Sequence, residues 1–142
     1  MRTPEMGCMK ALLEYEDCIA GIIMGVLVLG YEGTLSIPYA ELLLEIGSIL
    51  FLLFILFDIV NEIKDPDEHL AFTLLAIVHN IIDAILMLGF IDFFFELNIP
   101  LIGEYLVPYI GNLTFVYGIG IFLIASNALW FINVVRSPLT KS

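Results

Sequence analysis

Four long apolar runs occupy most of this 142-residue chain and limit what it can fold into. They cover roughly residues 11–31, 41–60, 70–91 and 110–135. Each run is close to the ~20 residues that an α-helix needs to cross a hydrocarbon layer of about 30 Å. Little sequence is left for a separate soluble domain. We therefore predict an all-α integral membrane protein in which residues 1–142 form a single transmembrane domain.

The positive charges predict how these helices are oriented. All five cationic residues lie at the two chain ends or between the second and third runs: Arg2, Lys10, Lys64, Arg136 and Lys141. With four crossings, those three places share one side of the membrane. Because lysine and arginine are retained in the cytoplasm, we predict a multi-pass, up-down four-helix bundle in the cell membrane with both termini cytoplasmic.

The acidic residues are also distributed unevenly, within a formal net charge of −11. The predicted outer face carries carboxylates and no cation: Glu32, Glu41, Glu45, Asp92, Glu96 and Glu104. Such a face attracts cations and repels nucleic acid and anionic substrates. The alternative is that these acids only solvate the turns that flank the membrane.

The third connection, residues 93–109, differs from the other two. It is too apolar for a free loop, and Pro100, Gly103 and Pro108 interrupt it too often for a span. We expect this segment to lie in the outer membrane interface or to pack over a neighbouring subunit.

Polar residues within the third run carry the main functional signal. His79, Asn80 and Asp83 share one face of the predicted helix, and His79 can touch Asp83 four residues later. Charged groups near the bilayer centre are costly, so they usually face the protein interior, pair with one another or line water. One interpretation is an imidazole–carboxylate pair that fixes the helix. The other is a proton relay or a cation site.

In the second interpretation, polar residues form a path through the bundle. From the outer to the inner side, its candidates are Glu41 with Glu45, then Asp83, then His79 with Asn80, and finally Asp58 with Asp17. The fourth run adds Asn127 at nearly the depth of His79. Asn127 and the adjacent Ser126 could instead only bond a neighbouring helix.

Small residues indicate where helices could approach closely. Gly21 and Gly25 form a small-xxx-small pattern in the first run, and Gly118 and Gly120 offer the same contact in the fourth. Glycine is also common in membrane helices without a packing role.

Motifs of enzymes and cofactor sites are missing from the sequence. It has no repeated Glu-x-x-His pair, no His-Glu-x-x-His, no phosphate-binding glycine loop and no Cys-x-x-Cys. No lysine or arginine lies within a run where it could hold a phosphate. We therefore predict a protein that is not an enzyme and has neither a metal site nor a cofactor.

The middle of the chain has a further pattern. Glu41 opens the second helix, residues 58–64 (Asp-Ile-Val-Asn-Glu-Ile-Lys) close it, His69 follows a short loop, and residues 76–82 (Ala-Ile-Val-His-Asn-Ile-Ile) lie in the third helix. This layout resembles the four-span phosphate-starvation-inducible E proteins. That family tends to have a basic residue where this chain has His79, and a shorter connection between helices three and four. The resemblance implies a four-span membrane protein and little about mechanism.

The sequence thus favours a non-enzymatic integral membrane protein that is a subunit of a homo-oligomer or of a larger membrane complex. The alternative is a small proton or cation channel or transporter that uses the intramembrane aspartate and histidine. Expected partners are the lipid bilayer, other membrane subunits or further copies of the chain, and protons or cations, but no nucleic acid. Polar stripes that face a common interior would favour the transport hypothesis, whereas stripes that face another chain would favour assembly.

Overall fold

The structure is a computed structural model that describes the backbone of residues 4–64 and 70–140 and the side chains of residues 16–64, 70–71 and 73–132. Within these ranges the regular structure is entirely helical. The helices are α1 (Pro4–Glu32), α2 (Ala40–Lys64), α3 (Leu70–Phe95), α4 (Ile102–Tyr105), α5 (Val107–Ile110) and α6 (Leu113–Thr140). The prediction of an all-α protein is confirmed for the described residues. Residues 65–69, which include His69, lie outside the described residues. The same holds for every cationic side chain except that of Lys64.

The predicted runs correspond to the four long helices α1, α2, α3 and α6. Three stretches are long and apolar enough to cross a membrane: Ala40–Lys64, Thr73–Phe95 and Leu113–Ile132. Within the described residues α1 is not among them, so the fourth span stays a prediction. The last helix begins at Leu113 and not at residue 110, because Asn112 caps it: the Asn112 side-chain oxygen accepts the Thr114 N–H at 2.9 Å.

The surface of α2 supports a membrane environment. Its exposed side chains include Leu53 and Phe57, at 59% and 58% exposure, while Phe51 and Ile55 on the opposite face are buried. A helix that is apolar all round is typical of a large protein core or of a membrane span. Because one face of α2 packs on its own chain, lipid is the natural environment of the other face.

The long helices pack side by side, and neighbouring helices are antiparallel. Helix α1 contacts both α2 and α6, and α2 contacts α3. Along α1 and α6 the residue numbers run in opposite directions, since Gly21 faces Asn127 whereas Gly25 faces Gly120. We call the end where α2 finishes the Lys64 end, and the end where α3 finishes the Asp92 end.

Large apolar side chains fill the core towards the Asp92 end. Those that are no more than 5% exposed include Val28, Leu44, Phe51, Met87, Phe90, Ile110, Val116, Ile119 and Leu123. They come from α1, α2, α3, α5 and α6. Apart from Ser48, whose buried hydroxyl donates to the Glu45 carbonyl oxygen at 2.9 Å, this half of the core is an apolar layer.

The third connection packs against its own chain. Leu106 and Ile110 lie against Gly89 of α3, where an added Cβ would overlap both side chains, and Ile110 is only 1% exposed. The short helices α4 and α5 therefore close the Asp92 end of their own core.

Asp92 holds the turn that leads into this segment. The sequence places it among the solvated outer acids, but this is wrong, because Asp92 is only 3% exposed. Its carboxylate accepts the backbone N–H groups of Asn98 at 2.7 Å and Ile99 at 3.0 Å. Asn98 has a left-handed backbone, with φ 54°, and these bonds help to hold it there.

Candidate functional site

Buried polar side chains from all four long helices lie between the middle of the core and its Lys64 end. Those no more than 7% exposed are Asp17 of α1, Glu62 of α2, Thr73, Asn80 and Asp83 of α3, and Asn127 of α6. On α3 they follow helical spacing, so one face presents Thr73, Asn80 and Asp83 and then continues as the apolar Met87 and Phe90. We call Asp17, Asp58, His79, Asn80, Asp83 and Asn127 the polar seam.

Asp83 lies at the centre of the seam. It is 0% exposed and close to the middle of the apolar stretch Thr73–Phe95. One carboxylate oxygen, Oδ2, lies 3.6 Å from His79 Nε2 and 3.5 Å from Asn127 Nδ2. The described side chains include no lysine or arginine apart from the exposed Lys64. The immediate neighbours of Asp83 are therefore a titratable imidazole and a neutral amide.

His79 joins α3 to α6. Its Nε2 lies 3.4 Å from the Ser126 hydroxyl, and its ring stacks on Trp130 with centroids 5.7 Å apart and an angle of 18° between the planes. The His79 side chain is 14% exposed, whereas Asp83 is fully enclosed. The imidazole is thus the more accessible partner of the pair.

Asn80 extends the seam to α2. Its amide nitrogen donates to Asp58 Oδ2 at 2.8 Å. Beside Asp58, between α1 and α2, lies a cavity of about 10 Å³ lined by Glu16, Asp17, Phe54, Phe57 and Asp58. That volume is close to what a single water molecule needs. Because Glu16 is exposed, the cavity reaches the protein surface on the Lys64 side of Asp83.

The structure does not bring Glu41 and Glu45 to this group. Glu41 is exposed, Glu45 is half-buried, and along α2 Glu45 is about 20 Å from Asp58 at ~1.5 Å per residue. The apolar layer separates the two glutamates from Asp83. The continuous path predicted from an outer vestibule to an inner exit is therefore interrupted in this conformation.

Three of the four candidate glycines lie where α1 meets α6. An added Cβ at Gly21 would overlap the Asn127 side chain. One at Gly25 would come within 2.8 Å of the Gly120 carbonyl oxygen, and one at Gly120 would meet Leu29 at the same distance. Gly118 is different, since nothing lies within 4 Å of a Cβ placed there. The structure thus leaves Gly118 out of the α1–α6 contact.

Besides Asp92, three buried polar residues in the described part of the chain were not among the sequence candidates. Ser48 is 0% exposed, Glu62 is 2% exposed and Thr73 is 4% exposed. Glu62 follows Asp58 by one helical turn, so the two share a face of α2 and spacing could have indicated it. Among the described side chains, no group of three or more His, Cys, Asp or Glu residues is placed to hold a metal ion.

No protein-family model matches the chain, and neither a curated protein nor a solved structure matches it. The resemblance to the phosphate-starvation-inducible E proteins therefore stays a prediction. Function has to be argued from the polar seam itself.

Proposed function

We propose that this chain is a non-enzymatic, four-span membrane protein that takes up and moves protons through its interior, with Asp83 as the central proton-binding group. The observation that supports this proposal is the position of Asp83. Its carboxylate is 0% exposed, near the middle of an apolar span, and has no lysine or arginine partner among the described side chains. Carboxylates in such positions are costly when charged and commonly belong to proton or ion pathways.

His79 is the proposed exchange partner. The 3.6 Å between His79 Nε2 and Asp83 Oδ2 is slightly longer than a hydrogen bond, so a small side-chain rotation would close it. A proton on the imidazole then passes to the carboxylate, which leaves a neutral His79 and a neutral Asp83. The Ser126 hydroxyl, 3.4 Å from the same nitrogen, can accept or donate in the intermediate orientations.

Protons would reach this pair from the Lys64 end, which is the predicted cytoplasmic side. Asn80, Asp58 and Asp17 lie on that side, together with the cavity beside Glu16. Towards the Asp92 end the core is apolar apart from Ser48, with Met87 and Leu123 both 0% exposed. Transfer across the whole membrane would therefore require a second conformation in which this apolar layer admits water.

Proton movement in liposomes tests the proposal. Purified protein is reconstituted with a pH-sensitive dye inside, and the internal pH is followed after an external pH step. We expect Asp83→Asn to lower the rate to that of protein-free liposomes, whereas Glu96→Gln, an exposed acid at the Asp92 end, keeps the wild-type rate. An unchanged rate in Asp83→Asn would remove this residue as the proton site.

A second candidate function is assembly as a subunit of a homo-oligomer or larger complex. The observation that favours it is an open apolar groove between α3 and α6, with a volume of about 430 Å³, lined by Ile82, Leu86, Thr114, Phe115, Gly118, Ile119 and Phe122. Small residues such as Gly118 allow another membrane helix to approach closely. Single-molecule subunit counting in membranes tests it: a uniform monomer would count against assembly, and loss of the oligomer in Gly118→Phe would support it.

A further inference from the structure

We propose that the polar seam also binds a small alkali cation of the sodium class, through one side-chain oxygen each from Asn80, Asp83 and Asn127. This inference rests on the proposed function, because the cation would occupy the place where the proton is bound. It adds a substrate class and a ligand set to that site.

Three buried acceptor atoms of the polar seam lack hydrogen-bond partners in the described part of the chain. Oδ1 of Asn80, of Asp83 and of Asn127 has no hydrogen-bond partner within the described part of the chain. The three residues are 2%, 0% and 0% exposed, respectively. Buried polar atoms in folded proteins nearly always have a partner, so three such acceptors in one seam call for a donor or a cation.

All three atoms are oxygens, because the surrounding bonds determine the orientation of the two amides. Asn80 Nδ2 donates to the Asp58 carboxylate at 2.8 Å, and Asn127 Nδ2 donates to the Leu123 carbonyl oxygen at 2.8 Å. Both partners are acceptors, so neither amide can be flipped without losing its bond. The free atom of each amide is therefore its carbonyl oxygen.

The three side chains come from one face of α3 and from the facing part of α6. Asn80 and Asp83 are three residues apart on α3, so their side chains lie on one face, one above the other. Asn127 approaches from α6 with its amide nitrogen 3.5 Å from Asp83 Oδ2. Asp83 of α3 and Asn127 of α6 thus meet directly, and the Asn80 amide lies on the adjacent turn of α3.

These ligands define the chemical class of the cation. Amide and carboxylate oxygens are hard donors that suit alkali and alkaline-earth ions better than transition metals. The proposed ligand set contains one carboxylate, which matches a single positive charge. Gly21 lies against Asn127 with no room for a side chain between α1 and α6, so close packing holds this amide on the α1 side.

Other titratable groups face the same region and set the expected pH dependence. They are Asp17 from α1, Asp58 and Glu62 from α2, and His79 from α3, while α6 faces the site with the neutral Ser126, Asn127 and Trp130. Protonation of Asp83 removes the negative charge that the cation needs. Sodium affinity should therefore fall as the pH falls.

Direct binding to the full-length wild-type protein is the first test. Radioactive ²²Na⁺ is equilibrated with protein in lipid nanodiscs at constant ionic strength, with choline as the inert cation. We expect saturable binding that unlabelled Na⁺ and Li⁺ displace and that choline does not. Trp130, the single tryptophan of the chain, stacks on His79, so its fluorescence should titrate over the same Na⁺ range.

Ligand variants form the second test. Asn80→Leu and Asn127→Leu each remove one proposed oxygen and should weaken sodium binding at least about tenfold. Glu96→Gln removes an exposed carboxylate outside the site and should bind sodium as the wild type does. If the leucine variants fail to fold, displacement of ²²Na⁺ from the wild-type protein by Na⁺ and Li⁺, but not by choline, still tests the cation site.

The outcomes separate this inference from the proposed function when proton movement is measured in choline buffers without sodium. Proton movement that depends on Asp83, together with no sodium binding above the choline background, overturns the cation site alone. Saturable sodium binding without proton movement supports the site and removes proton transport. Absence of both overturns both.

Discussion

Asn80 donates a hydrogen bond of 2.8 Å to Asp58, and this bond ties α3 to α2 within the polar seam. It also fixes the rotation of α3, because a shift of one residue would turn Asn80 about 100° away from its partner. The same rotation directs Asp83 towards α6. A single interhelical bond thus determines which polar side chains of α3 meet Asp58 and which meet Asn127.

The Asn80–Asp58 bond should contribute modestly to stability. We expect a double-mutant cycle of Asn80→Ala and Asp58→Ala to give a coupling free energy of about 0.6 kcal/mol, and no more than about 1.7 kcal/mol, as for other interhelical bonds in membranes. The measurement is reversible unfolding in mixed detergent micelles, followed by circular dichroism. As a control, the effects of Asn80→Ala and Glu96→Ala should add within about 0.5 kcal/mol. A coupling free energy between Asn80 and Glu96 as large as that between Asn80 and Asp58 would contradict a specific Asn80–Asp58 bond.

Gly25 and Gly118 should respond oppositely to the same substitution. Gly25→Leu drives a side chain into the Gly120 carbonyl and Ile124, and we expect it to destabilise the fold by about 1–3 kcal/mol or more. Gly118→Leu points into the open groove and should change the free energy of unfolding by less than about 1 kcal/mol. The same detergent unfolding assay measures both. Equal destabilisation by the two variants would contradict the α1–α6 contact.

The helical class and the approximate positions of the long helices could be predicted from the sequence, because long apolar runs are a local property of the chain. The helix ends could not, because they depend on bonds made after folding. The fourth apolar run begins at about residue 110, yet the side chain of Asn112 caps α6, which begins at Leu113. Asp92 reads as a solvated acid, yet it turns inward to hold the backbone of Asn98.

The candidate site could be predicted only as far as one helix face. The spacing of Asn80 and Asp83 along α3 predicts that they share one face, and both side chains are buried. This prediction needs only the period of a single helix. The rotation of one helix against another is not encoded in that period. Gly118 and Gly120 therefore looked equivalent, although only Gly120 faces α1. For the same reason Glu41 and Glu45 entered the predicted path, although an apolar layer separates them from Asp83.

Asp92 should control the order of the turn after α3. Asp92→Ala leaves two backbone N–H groups without their acceptor, and we expect a loss of about 1–3 kcal/mol of stability. Amide hydrogen exchange of Asn98 and Ile99 should accelerate more than that of the α3 core. Glu96→Ala, at an exposed neighbouring position, is the control and should leave those exchange rates unchanged. If Asn98 and Ile99 exchange as slowly in Asp92→Ala as in the wild type, the turn does not depend on this carboxylate.

Cysteines introduced at the Asp92 end and at the Lys64 end should be labelled from opposite sides of the membrane. In a background without Cys8 and Cys18, a single cysteine replaces either Thr34, in the connection before α2, or Lys64, the last residue of α2. Both positions are exposed. Because the cationic residues predict that the Lys64 side is cytoplasmic, we expect a membrane-impermeant maleimide to label Thr34→Cys in intact cells. Lys64→Cys should react only after the membrane is permeabilised.

A third cysteine, Lys10→Cys, tests whether α1 is a span. If α1 crosses the membrane, this position lies on the Lys64 side and should also require permeabilisation. Labelling of Lys10→Cys in intact cells, together with Thr34→Cys, would show that only three helices cross. In that arrangement Asp17 would have to reach the polar seam from a helix that does not span, and the proposed entry of protons between α1 and α2 would lose its cytoplasmic access.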